Sequence, residues 1–116
     1  MVKYIFEIID KTGRKIRLTQ KQWSHIRQDH PEIKDEELLK DVLKNPTQIT
    51  QPYEGEKYYY YKYYKNRKGP DKYLMVIVKY LNGGGFVITS FYVKSIRWKI
   101  KHGFIMMKKE IFWKFQ

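Results

Sequence analysis

Residues 58–93 read YYYYKYYKNRKGPDKYLMVIVKYLNGGGFVITSFYV. Three runs rich in Tyr, Val, Ile and Phe are separated by two breaks made of Gly, Pro, Asn and Asp. That spacing predicts antiparallel sheet. Tyr58–Tyr64 is the first strand, Asn66 to Asp71 a loop, and Lys72–Leu81 the second strand. Asn82-Gly83-Gly84-Gly85 reverses the chain into a third strand, Phe86–Val93, since glycine tolerates the positive φ of a tight hairpin.

Working back toward the N-terminus, residues 2–9 carry Val, Tyr, Ile and Phe and read as a strand. Asp10-Lys11-Thr12-Gly13 is a turn, and Lys15 to Leu18 is the returning arm of a short hairpin. Thr19 with Gln22 three residues on forms a capping box. It opens a helix bearing Trp23 and Ile26, which Pro31 ends by pushing its predecessor out of the helical region. A second helix spans about Asp35 to Lys44, with Leu38, Leu39, Val42 and Leu43 as its apolar stripe, and Asn45-Pro46 stops it. Residues 104–115 fit either a last strand or a docked helix. The expected fold is α+β: an N-terminal strand or hairpin and two helices packed on one face of a roughly four-stranded antiparallel sheet. Residues 1–116 are read as one domain, with 93–116 as a basic, aromatic extension.

A face left open by such a sheet is solvated or used, and charge indicates which. The net charge is +12. Residues 1–56 hold ten basic and ten acidic side chains, while residues 57–116 hold fourteen basic and two acidic ones, Asp71 and Glu110. The whole excess therefore lies in the half that is also rich in tyrosine, as expected of a nucleic-acid surface. Alternation sends Tyr59, Tyr61 and Tyr63 to one side of their strand and Tyr58, Tyr60 and Tyr64 to the other. One set fills core; the other, flanked by Lys62, offers rings on which unpaired bases stack. Lys94, Arg97, Lys99 and Lys101 continue the basic surface.

Cysteine is absent, which excludes disulfides, thiolate metal sites and a cysteine nucleophile. With no apolar signal-like stretch behind Met1 and no membrane-length run, a cytoplasmic protein without membrane contact is expected. Of three histidines, His25 lies inside the first helix and His30 at its end. On a continuous helix they point about 140° apart, but Pro31 lets His30 leave the helical path. Two imidazoles at one mouth suit ribonuclease chemistry, since histidine both takes and gives protons near neutral pH. No zinc-ligand spacing or phosphate-binding loop is present, and no cofactor is expected. Counting Leu81 opposite Phe86 across the glycine turn places Val78 opposite Thr89 and Ile77 opposite Ser90. Lys79, Ser90 and Tyr92 then share one face, while Leu74, Val76, Val78, Val87, Thr89 and Phe91 fall on the core face. A bulge near the glycines would reassign Thr89.

Taken together, Trp23-Ser24-His25-Ile26, His30-Pro31-Glu32, the Asn45-Pro46 break, Val76-Ile77-Val78-Lys79 and Gly85-Phe86-Val87-Ile88-Thr89-Ser90-Phe91 resemble a known family. It is the group of small phage-associated nuclease-like domains in the superfamily named after barnase, EndoU, the tRNA-cleaving colicins and RelE. The likeness runs from about Leu18 to Phe91. It implies a metal-independent ribonuclease fold, with a helix-borne histidine, a basic residue and a Ser/Thr–aromatic motif from the late strands. By position that nominates His25, His30, Lys79 and Thr89, with Phe91 or Tyr92 as the aromatic; Phe91 stands where many relatives carry a tyrosine, and Tyr92 is its substitute.

The sequence is therefore read as a toxin-like RNA endonuclease cutting by 2′-hydroxyl attack. His25, His30, Lys79, Thr89 and Tyr92 are its catalytic candidates; Tyr59, Tyr61, Lys62, Tyr63, Ser90, Lys94, Arg97, Lys99 and Lys101 are its RNA contacts. RNA, a tRNA or another structured one included, and an acidic antitoxin or immunity protein are the expected partners. The alternatives are a non-catalytic nucleic-acid-binding module on the same fold and a nuclease-derived domain that binds a protein partner.

Overall fold

The computed structural model describes residues 2–96 and the strand residues 99–101, 104–106 and 111–114. Its elements are β1 (Tyr4–Ile9), β2 (Lys15–Thr19), α1 (Gln20–Asp29), α2 (Glu36–Lys44), β3 (Gln48–Thr50), β4 (Lys57–Tyr63), β5 (Tyr73–Leu81), β6 (Gly84–Val93), β7 (Lys99–Lys101), β8 (Phe104–Met106) and β9 (Ile111–Lys114). Six strands form a mixed sheet in the order β1-β2-β6-β5-β4-β3, and β9 joins it beyond β3. β7 and β8 pair separately.

The α+β expectation stands, but the sheet is wider than four strands and not wholly antiparallel. Two additions make the difference. β2 joins β6 in parallel, through Ile16–Gly85 and Arg17–Phe86. The short β3 pairs with β4, although only three residues long. Neither is a local feature, since each depends on a distant strand offering an edge.

Local signals fix the helix ends. The Thr19 hydroxyl accepts from the Gln22 backbone N–H at 3.1 Å, and the Asp35 carboxylate caps α2 by accepting from Glu37 N at 2.9 Å. Each cap contributes about 1 kcal/mol. Ile26 of α1 and Leu39, Val42 and Leu43 of α2 bury against Ile16, Leu18, Tyr60, Leu74, Val76, Val78 and Val87. These strand residues alternate along β2, β4 and β5, so one side of the sheet holds the core. Each fully buried aliphatic side chain there contributes about 1.5–3 kcal/mol.

The hairpin turn is fastened to that core by polar contacts. Asp10, buried, accepts from Thr12 N at 3.0 Å, Thr12 Oγ1 at 2.8 Å and Arg14 N at 2.8 Å. It also accepts from the hydroxyls of Tyr60 and Tyr80. The Arg14 guanidinium lies 4.5 Å from the Tyr80 ring centroid. Burial pushes the Tyr80 hydroxyl up to about 12 and drives Tyr60 upward too, so both remain donors. A buried carboxylate needs such partners.

The β5–β6 hairpin differs from the expected register in two places. Its reversal is Asn82-Gly83, with Leu81 opposite Gly84 and Gly83 at φ +81°, the Asn-Gly geometry that matches strand twist. Gly85 pairs with Tyr80; a Cβ there would stand 2.8 Å from both the Tyr80 ring and the Val78 side chain. Farther along, Val78 faces Val87 but Ile77 faces Thr89, leaving Ile88 as the extra residue of a bulge. Every assignment beyond that point changes side. Thr89 and Phe91 leave the expected core face, while Ser90 and Tyr92, opposite Val76 and Leu74, move to the core side.

Candidate functional site

β2 covers β6 only at Gly85 and Phe86, so the later part of β6 would be a bare edge. α1 lies along it: the Gln22 side-chain amide donates to the carbonyl of Ile88, the bulged residue. Around the helix axis Ile26 stands about 40° to one side of Gln22 and His25 about 60° to the other. Ile26 enters the core. His25 is exposed, about 100° around the helix from Ile26.

His30 is positioned differently. It is the C-cap of α1, with φ −134° and ψ 69°, and its N–H still bonds Ile26 O. Released from helical geometry, its ring stacks on Phe91 at 5.0 Å between centroids and 24° between planes. Its Nδ1 stands 3.8 Å from the Glu32 carboxylate. Phe91 and Thr89 are alternate residues of β6, and Thr89 faces Ile77, which is two residues from Lys79 on β5. Phe91, Thr89 and Lys79 therefore share the side of the sheet away from the helices, and His30 joins them by its stack on Phe91; His25 is exposed on α1.

Lys79 is flanked by Lys57 on β4 and Phe86 on β6. Like charges directly opposite one another repel, and among the described residues neither lysine has an acidic ion-pair partner. The pairing sets two lysines across from each other on β4 and β5, with Thr89 opposite Ile77, two residues from Lys79. Lys57, at the mouth of a loop, was absent from the sequence-based set, since only pairing with Lys79 gives it meaning.

Three expected residues leave the site. Tyr92 faces the core side with Leu74, opposite to Thr89 and Lys79; burial raises its hydroxyl, partly countered by Arg67. Ser90 is fully buried and donates to Met75 O at 2.7 Å, so it has no surface on which to meet a ligand. Lys62 also turns to the helix side, where its Nζ lies 2.9 Å from Asp41. An alternating strand cannot present Lys62 beside Tyr61 and Tyr63.

The tyrosines divide as alternation requires. Tyr58, Tyr60 and Tyr64 pack with the core. Tyr59, Tyr61 and Tyr63 lie on the open face, joined by Tyr53 and Tyr73. Successive centroids along this aromatic row are 5.1–6.5 Å apart. Tyr61 has no exposed surface, whereas Tyr53 and Tyr63 are 45% and 44% exposed. Met75 and Thr50 on the same side are buried as well, so this side is covered at its centre and Tyr53 and Tyr63 are the exposed rings of the row. Lys94 is exposed, Lys99 and Lys101 belong to β7, and Arg97 lies outside the described residues.

Among the described residues no three His, Asp or Glu side chains gather as a metal-ligand group, and no helix is long and apolar enough to cross a membrane. The family model described as phage-Barnase-EndoU-ColicinE5/D-RelE like nuclease2 matches residues 6–111. Neither the curated proteins nor the solved structures yield a match.

Proposed function

The chain belongs to the phage Barnase-EndoU-ColicinE5/D-RelE like nuclease 2 family, and on that premise we propose that it is a toxin-like RNA endonuclease that works without a metal ion. The reading is carried by one observation: His30, stacked on Phe91, shares the side of the sheet away from the helices with Thr89 and the Lys79–Lys57 pair.

In the proposed reaction a ribose 2′-oxygen attacks the adjacent phosphorus. One imidazole of the His25–His30 pair takes the hydroxyl proton. The other gives a proton to the departing 5′-oxygen as the P–O5′ bond breaks. The products are a 2′,3′-cyclic phosphate and a 5′-hydroxyl, and the transferred protons balance. Lys79, aided by Lys57, stabilises the charge gathering on the phosphoryl oxygens. Thr89 holds the phosphate, and the tyrosine row holds the flanking strand. Lys94, Arg97, Lys99 and Lys101 extend the hold on the RNA backbone, and a small acidic protein is the matching inhibitor.

The test is incubation of purified protein with total RNA in EDTA, followed by analysis of the new ends. Cyclic phosphates and 5′-hydroxyls are expected. Cleavage only after a divalent metal is restored, or 3′-hydroxyl ends, would overturn the mechanism. The five-tyrosine row supports a second reading, a module that grips RNA without cutting. Tight binding at low salt with every RNA left intact would select it.

A further inference from the structure

The β4–β5 loop holds an open recess of about 370 Å³, lined by Tyr63, Tyr64, Lys65, Asn66, Arg67 and Tyr92. Its shape is set from within the chain. Lys72, whose charge falls in the basic half, turns inward and donates to the carbonyls of Lys65 and Arg67. Tyr64 N donates to Lys72 O at 2.8 Å, and Arg67 N to Tyr64 O at 3.1 Å. The Arg67 guanidinium lies flat on Tyr92, 3.5 Å from the ring centroid, and its Nε donates to Asp71 O at 3.0 Å. Plane and direction are therefore fixed before any ligand arrives.

What remains unused in the recess has a recognisable chemistry. Among the described residues, no partner is bonded to the Asn66 side-chain amide, the Tyr92 hydroxyl or the two terminal nitrogens of Arg67. Lys65 is exposed. A planar guanidinium on an aromatic platform presents a stacking face and a two-pronged anion donor. An amide beside it offers a paired donor and acceptor, the pattern that reads a base edge. The volume is at the small end of ligand sites, enough for one nucleotide.

The geometry points to a subsite for a single unpaired nucleotide. Arg67 stacks its base, Asn66 reads the base edge, and Arg67 with Lys65 takes the phosphate. Tyr92 and Phe91, neighbours in β6, face opposite sides of the sheet, so the subsite lies across the strand from the ring on which His30 rests. It holds a nucleotide of the bound strand away from the cleaved bond. This inference rests on the nuclease reading for its biological use, though not for its test.

The test titrates the four nucleoside 3′-monophosphates, and separately inorganic phosphate, into ¹⁵N-labelled full-length protein. Amides of residues 64–67 and 92 should shift with one base preferred. Arg67→Ala should weaken binding at least tenfold, Arg67→Lys should restore less than half of that loss, and Asn66→Ala should abolish the base preference. Shifts confined elsewhere, equal response to inorganic phosphate, or an unchanged preference in Asn66→Ala would overturn the subsite. No cleavable bond is present in these probes. A protein that binds them here but cuts no RNA keeps the subsite and loses the nuclease reading. One that cuts RNA with an unchanged KM in Arg67→Ala does the reverse.

Discussion

The His30 imidazole rests on the Phe91 ring, 5.0 Å between centroids and nearly parallel at 24°. Residues far apart in sequence thus fix one another: a helix end supplies the imidazole, and the strand after the bulge supplies its platform. With Glu32 3.8 Å from Nδ1, the ring has a contact on its face and a carboxylate near its edge.

In the proposed mechanism Phe91 positions the His30 ring. Phe91→Leu should keep the fold, at a stability cost of about 1 kcal/mol. It should lower kcat by about 10- to 100-fold with little change in KM, because a misplaced proton-transfer group loses rate before binding. Phe91→Tyr should retain the platform and most of the rate. Equal losses in both variants would show that ring stacking is not what matters. Steady-state kinetics on a defined RNA separates these outcomes.

Replacement of either His25 or His30 by alanine should lower turnover by about 10²–10⁴-fold. The double replacement should cost less than the product of the two, as groups acting as a unit do. A bell-shaped pH–rate profile is expected, with a limb lost in each single variant that retains measurable rate. Full activity without His25 would assign its proton transfer to another group.

Binding should weaken steeply as salt rises, since phosphate contacts release counterions. Reversing Lys94, Lys99 and Lys101 to glutamate should reduce RNA affinity much more than reversing Lys34 and Lys44. Lys62 tells the two sides of β4 apart. It is paired with Asp41, so Lys62→Glu should lower stability with little direct effect on RNA affinity. Fluorescence anisotropy at several salt concentrations, beside urea unfolding, reads both effects.

Asp41 carries a pH dependence. Burial alone would raise its carboxyl, but hydrogen bonds from Tyr64, Lys62 and Asn45 outweigh burial and hold it below the ordinary carboxylate range. A folded-state pKa below the unfolded value means stability present above the unfolded pKa and lost as pH falls through the folded one. Unfolding free energy should therefore drop on acidification below about pH 4. Asp41→Asn should be less stable at pH 7, and its stability should change less over that acidic range. The same acid slope in both proteins would assign the effect to other carboxylates.

The local chemistry of Thr19, Asp35, Pro31 and Asn45 was enough to bound both helices, because caps and breakers act within a few residues of themselves. The three long strands and a reversal within Asn82–Gly85 were legible for the same reason, but not that Asn82-Gly83 alone makes the turn. β3 was not, since a three-residue strand has almost no periodicity and exists through its pairing with β4. Of the candidate site, residue types were legible and faces were not. His25, His30, Lys79 and Thr89 were chosen by chemistry and family pattern. Ser90 and Tyr92 were placed beside Lys79 by a register that the bulge at Ile88 displaces.

The sequence by itself determined the α+β class, the helix limits, the concentration of positive charge after residue 56 and the likeness to a nuclease family. Only the tertiary structure decided which side of the sheet each late residue serves. The reason is the two-residue period of a strand: one unpaired residue at the bulge moves Thr89 and Phe91 to the open face and sends Ser90 into the interior. It also decided where α1 lies. The Gln22–Ile88 bond against an edge that β2 leaves uncovered holds the helix where Ile26 enters the core. Such contacts between distant segments have no signature in either segment alone.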